Sequence, residues 1–126
     1  MGGCGKGFDS ATVSLQPIQI EYPPMFCHIH KFREKLAAGR FCLGAGITLT
    51  DPTVTEALAE SVDFFWIDLE HNPTSLQAMT AHLIAARAGG APAIVRVPSG
   101  EVGWIKRVLD SGAEGIILPQ AANAGD

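Results

Sequence analysis

The residues best suited to chemistry form one short run, Asp68-Leu69-Glu70-His71. Asp68 and Glu70 are two residues apart, so on a β-strand both carboxylates point to the same side. Carboxylates gathered at the end of an apolar segment need a cation, a metal ion or a ligand to offset their charge. His71 is the natural general acid or base near neutral pH. The run predicts a site of proton transfer, and the alternative is a strand end that caps neighbouring loops.

Two further charged residues extend this candidate site. Arg96 follows two apolar residues, where a guanidinium needs a carboxylate partner. It can pair with Asp68 or Glu70, or hold a substrate carboxylate in a two-pronged hydrogen bond, and the two roles are compatible. Asp110 ends a predicted helix, where its charge opposes the helix dipole and requires an offsetting partner. The alternative for Asp110 is a loop cap.

The remaining candidates favour structural roles. His28 and His30 lack neighbouring carboxylates in the sequence, and we expect His82 on the outer side of a helix. Trp66 and Trp104 are expected in the core or at an interface. No Lys stands at a strand end, so the pattern does not support a Schiff-base mechanism.

The elements that position these residues alternate between strand and helix. Short apolar runs predict strands over 41–47, 63–70, 92–97 and 115–119. Helices are predicted over 30–38, from Asp51 to about 61, from a Thr74–Gln77 capping box to the Gly89-Gly90 pair, and over 101–110. This order implies a parallel sheet with right-handed crossovers, either an open doubly wound sheet or a (β/α)₈ barrel.

Polar residues follow each predicted strand, at the edge where barrel enzymes carry their chemistry. Thr48 and Thr50 follow the first strand, and Gln120 follows the fourth. A nucleotide-binding sheet is disfavoured because the first loop, which begins at Gly44 and Gly46, lacks the third glycine of the phosphate-binding motif.

Composition narrows the class of protein. The chain has 126 residues, and ten acidic against four basic residues over 41–126 argue against a nucleic-acid partner. No apolar stretch is long enough to predict a membrane helix. Three cysteines without a C-x-x-C pair support neither a disulfide framework nor a zinc site, so a cytoplasmic location is expected. Residues 1–28 are predicted to be an irregular leader, and residues 29–126 a domain.

Five segments, in matching order and spacing, give this sequence a specific resemblance. The sequence resembles the HpcH/HpaI aldolases, the class II metal-dependent enzymes, over about residues 30–126. The matching segments are Asp51-Pro52-x-x-x-Glu56, Trp66-Ile67-Asp68-Leu69-Glu70-His71, Val95-Arg96-Val97-Pro98, Ile105-Lys106-Arg107-Val108-Leu109-Asp110-x-Gly112-Ala113-x-Gly115 and Leu118-Pro119-Gln120.

The resemblance implies a (β/α)₈ barrel of the phosphoenolpyruvate/pyruvate group and reversible cleavage of a 2-keto-4-hydroxy acid into pyruvate and an aldehyde. It further implies Mg²⁺, Mn²⁺ or Co²⁺ as cofactor and a homo-oligomer for a full-length protein. By motif, His71 corresponds to the catalytic acid or base, acting through water, with Asp110 as its partner. Arg96 corresponds to the residue that binds the keto acid. Asp68 and Glu70 correspond to groups that orient metal-bound water and the histidine.

The sequence departs from the family pattern in one respect. The direct metal ligands of the family lie on later strands than the fourth, and the sequence contains no candidate for either of them. We therefore expect the N-terminal half of a barrel, about four βα units, truncated after the fourth strand. Aldolase chemistry is the first hypothesis for this fragment. A catalytically inactive half-barrel, either a remnant or an interaction module, is the alternative.

Overall fold

The computed structural model describes residues 27–121, in which helices and strands alternate as predicted. The elements are α1 (Ile29–Ala37), β1 (Gly44–Ile47), α2 (Thr53–Leu58) with a 3₁₀ turn (Ala59–Ser61), β2 (Phe64–Asp68), α3 (Leu76–Ala88), β3 (Ala93–Arg96), α4 (Val102–Asp110) and β4 (Gly115–Ile117). The predicted leader lies outside the described residues, apart from its last two positions.

The four strands form one parallel sheet in the order β1-β2-β3-β4. Each strand pairs with the next one in the chain, and the intervening helix returns the chain to the same edge. All four carboxyl ends therefore meet at one edge of the sheet. Every strand is shorter than the apolar run that predicted it. Residues 41–43, for example, precede the first residue of β1.

The two faces of the sheet differ in burial. One face carries Phe65, Ile67 and Val95, which are fully buried against helical residues such as Met79 and Val108. The other face is more exposed at the alternate positions of β2 and β3, apart from the buried Asp68. Alternate side chains of a strand point to opposite faces of the sheet. The difference in burial therefore shows that the helices pack against one face only. At the carboxyl edge, the second face carries the polar residues that end β2 and β3.

Helix α1 lies across the amino edge of the sheet and is fastened at both of its ends. Glu114, just before β4, accepts hydrogen bonds from the first backbone amides of the helix, including Ile29 N–H at 2.8 Å. Lys35 donates to Asp63 at 2.6 Å, and Phe32 packs on Phe64 with ring centroids 4.8 Å apart. These contacts close the end of the sheet that is opposite the candidate site.

Two local predictions for α3 are wrong. The helix is capped by Ser75, whose Oγ accepts from Ala78 N–H at 3.1 Å, and not by a Thr74–Gln77 capping box. His82, expected on the outer side, is completely buried. The reason is its spacing: His82 lies three residues after the buried Met79 and four before the buried Ala86, and therefore on the same helix face.

Residues 27–121 contain no helix that is both long and apolar enough to cross a membrane.

Candidate functional site

The candidate site is built on the adjacent ends of β2 and β3. The parallel register pairs Asp68 with Arg96, the last residue of each strand. Arg96 Nε donates to Asp68 Oδ1 at 3.0 Å, and Arg96 Nη2 donates to Asp68 Oδ2. This two-pronged geometry is the strongest form of carboxylate–guanidinium pairing. The sequence predicts that Arg96 pairs with Asp68 or Glu70, and the structure contains the pair with Asp68.

Asp68 is held as a carboxylate by four donors. Its Oδ1 also accepts from the backbone amides of Glu70 at 2.9 Å and His71 at 3.2 Å, so the carboxylate organises the turn after β2. Hydrogen bonding by Arg96 lowers the pKa of Asp68 from 3.8 to about 2, although burial acts in the opposite direction. The same pairing raises the pKa of Arg96. Both groups are therefore charged at neutral pH.

Glu70 and His71 stand beside this pair. Glu70 Oε2 lies 3.3 Å from Arg96 Nε and 3.4 Å from His71 Nδ1. His71 Nδ1 is also 2.7 Å from Arg96 Nη2. A guanidinium has only donors, so His71 must offer the lone pair of Nδ1 to Arg96 and carry its proton on Nε2. The side chain of His71 is 65% exposed and open to a ligand.

Trp66 completes the surroundings of Arg96. It lies two residues before Asp68 on the same face of β2, and its ring lies 5.5 Å from the Arg96 guanidinium carbon. An aromatic face at this distance attracts a cation. The sequence interpretation placed Trp66 in the core or at an interface. The period-2 spacing from Asp68 is the signal that links it to the site.

The structure brings together four of the five predicted site residues, namely Asp68, Glu70, His71 and Arg96. It does not bring Asp110 to His71 within one chain. Asp110 is the last residue of α4, which runs from the carboxyl edge back to the amino edge. Ile47, the last residue of β1, pairs with Ile67 of β2. The exposed Thr48 is the next residue along the chain, so it lies level with Asp68.

The acidic cluster can be tested as a metal site. Ligand atoms of Asp68, Glu70 and His71 lie within 4.8 Å of one another, which makes them a possible metal-binding group. However, both oxygens of Asp68 accept hydrogen bonds from Arg96, and His71 Nδ1 faces the same guanidinium. A metal ion there would have to displace a cation. These residues fit a role in orienting a ligand or water, but they do not by themselves form a metal's ligand set.

Fold and site together define a class of protein: a parallel α/β chain of the partial-barrel type with ionisable groups at the carboxyl ends of its strands. Residues 47–126 match the family model described as HpcH/HpaI aldolase/citrate lyase. The chain belongs to this family. It is similar to a solved HpcH/HpaI aldolase from Desulfitobacterium hafniense, with a TM-score of 0.66 and 29% identity, covering 74% of this chain and 37% of that one. The expected family and the partial TIM-barrel fold are confirmed.

Curated relatives have aldolase names. A hydroxypyruvate/pyruvate aldolase from Roseovarius nubinhibens is 38% identical over 94 residues, which is 74% of this chain and 37% of the relative. A 4-hydroxy-4-methyl-2-oxoglutarate aldolase from Hapsidospora irregularis is 38% identical over 106 residues, covering 81% and 39% of the two chains. The chain thus spans less than two fifths of the length of these relatives.

Proposed function

We propose that the chain provides one part of a class II aldolase active site, which reversibly cleaves a 2-keto-4-hydroxy acid into pyruvate, or a close relative of pyruvate, and an aldehyde. The observation that carries the proposal is the Asp68–Arg96 pair with Glu70 and His71 beside it. The names of the relatives support a keto-acid substrate. Residues 29–126 would form the partial barrel domain.

In this proposal Arg96 binds the carboxylate of the keto acid. Its Nε and Nη2 are bonded to Asp68, and among the described residues Nη1 has no hydrogen-bond partner. Asp68, Glu70 and Trp66 hold the guanidinium in place, so that the unused N–H groups can face a ligand without the side chain first having to be ordered. A preorganised cation of this kind also stabilises negative charge as it develops on an enolate.

His71 moves the proton. A substrate carboxylate bound to Arg96 replaces His71 at Nη2, and the exposed ring of His71 then takes the proton of the substrate hydroxyl on Nδ1 through a water molecule. The C3–C4 bond breaks, its electron pair forms the enolate and the aldehyde departs. The imidazolium, stabilised by Glu70 at 3.4 Å, then returns the proton to C3.

The resemblance adds two features to the proposal. A divalent cation, Mg²⁺, Mn²⁺ or Co²⁺, would supply further positive charge for the enolate, and the described residues do not by themselves form its ligand set. Asp110, the partner that the resemblance implies for His71, lies at the opposite edge of the sheet. The partnership would therefore require a homo-oligomer, in which another copy of the chain supplies Asp110.

The test is an assay of pyruvate release with each of the three cations. It uses 4-hydroxy-4-methyl-2-oxoglutarate, which would give two molecules of pyruvate, and a 2-keto-4-hydroxy acid with hydrogen on C4, which would give pyruvate and an aldehyde. It uses this chain and, in parallel, the chain continued by the residues that follow the matched segment in the Roseovarius nubinhibens relative. Product from either protein, lost in Arg96→Met but retained in the surface variant Arg107→Met, is the expected result. The absence of product from both proteins would overturn the aldolase assignment.

One observation favours the second candidate, an inactive half-barrel that acts as an interaction module. In residues 27–121 the outer strands β1 and β4 each pair on one side only. Such edges invite pairing with another chain. A stable dimer that neither binds pyruvate nor releases it from the substrate would support this candidate, and a well-folded monomer would exclude it.

A further inference from the structure

The buried His82 links three elements and has no part in the chemistry described above. Its Nε2 lies 2.9 Å from the carbonyl oxygen of Leu49, and its Nδ1 lies 2.8 Å from Thr55 Oγ1. Both His82 and Thr55 have no exposed surface. The ring therefore joins α3 to α2 and to the loop between β1 and α2.

These partners show that Nε2 of the ring carries a proton. A carbonyl oxygen only accepts, so Nε2 must carry the proton and donate it to Leu49. In the neutral ring Nδ1 then accepts from the hydroxyl of Thr55, which can either donate or accept. Both ring nitrogens are therefore paired, in a place where an unpaired polar group would be costly.

The loop held by His82 borders the candidate site. Leu49 lies between Thr48 and Thr50, which follow the carboxyl end of β1, and Thr48 is level with Asp68 in the sheet register. At its far end the loop is held by Asp51, whose Oδ1 accepts from Thr53 N–H at 3.0 Å. The Thr48 and Thr50 side chains are exposed, so the contact with His82 is made through the backbone between them.

We propose that His82 is a positioning residue that fixes the β1–α2 loop from behind and so places Thr48 and Thr50 beside the keto-acid site. This inference depends on the proposed function for its effect on ligand binding, but its effect on the loop is independent of any ligand. A residue that merely fills the core would stabilise the whole domain evenly. A positioning residue controls the local opening of one loop.

The first arm of the test measures the loop alone. Nitrogen chemical shifts of the His82 ring should report a proton on Nε2. In His82→Leu, exchange of the Thr53 and Val54 amides, which donate to Asp51 at the end of the loop, should accelerate about tenfold more than exchange at β2 and β3, because the Leu49 carbonyl loses its donor. His82→Gln, which retains a donor and an acceptor, should restore most of the protection. Thr55→Val removes only the hydroxyl and should have a smaller effect of the same kind.

The second arm measures pyruvate binding by titration calorimetry. His82→Leu should weaken binding about fivefold while His82→Gln and the exposed His30→Leu leave it nearly unchanged. If neither this chain nor the continued chain binds pyruvate in the presence of the cations, the proposed function fails and the exchange arm alone decides the role of His82. A ring without a proton on Nε2 would overturn the positioning role. So would exchange that accelerates equally at the loop and throughout the sheet in both Thr55→Val and His82→Leu.

Discussion

The two edges of the sheet treat their charged residues in opposite ways. At the amino edge, Glu114 accepts from the first amides of α1, and Asp63 pairs with Lys35, so each carboxylate has its own donors. At the carboxyl edge, two carboxylates share the single guanidinium of Arg96, and the same guanidinium contacts His71. The amino edge is closed by a helix, whereas the carboxyl edge leaves an exposed histidine. The contacts at the amino edge therefore stabilise the fold, whereas the carboxyl edge leaves a polar side chain available for the ligand that we propose.

The largest difference between the edges should appear in activity. Replacing His71 by Gln removes the proposed acid and base, and we expect pyruvate release to fall by about 100-fold or more. Unfolding by urea should change little, because the side chain is 65% exposed. His30→Gln, an exposed histidine on α1, is the matched control and should keep full activity. Equal activities of the two variants would contradict the role of His71.

The next largest effect concerns stability. Asp68→Asn removes the charge that pairs with Arg96, and we expect the free energy of unfolding to fall by about 2 kcal/mol at pH 7, as for a hydrogen bond between charged groups. Urea unfolding with both proteins at the same pH measures the difference.

The pH dependence of this difference has a defined sign. The folded pKa of Asp68 is about 2 and its ordinary value is 3.8, so its contribution is fully present above about pH 4 and is lost as pH falls toward 2. The stabilities of wild type and Asp68→Asn should converge over that range. A difference that stays constant from pH 6 to pH 2.5 would contradict the assignment of the pKa shift to Asp68.

A smaller effect is expected at the amino edge. Glu114→Gln weakens the cap on the first turn of α1, and we expect a loss of about 1 kcal/mol in the free energy of unfolding. Pyruvate affinity should not change, since Glu114 and the site lie at opposite edges of the sheet. An affinity loss as large as that of an Arg96 variant would show that the two edges are not separate in function.

Much of the site could be predicted because its residues belong to strand ends. A two-residue spacing puts Asp68 and Glu70 on one side, and parallel strands bring Arg96 to the same edge, so local periodicity was sufficient. The placement of Asp110 could not be predicted in this way, since its distance from His71 depends on the direction of α4. His82 was predicted on the wrong side because its polarity outweighed its spacing, although both of its nitrogens find partners.

The smallest effect tests how Arg96 is held at the carboxyl edge. The ring of Trp66 lies 5.5 Å from the guanidinium and is itself partly exposed, so its attraction for the cation is modest. We expect Trp66→Leu to weaken pyruvate binding about threefold, and Trp66→Phe to weaken it less, because Phe retains an aromatic face. Trp104→Phe on α4 is the matched control. If Leu and Phe at position 66 behave alike, the aromatic face does not contribute to holding Arg96, which would contradict the role of the Trp66 ring.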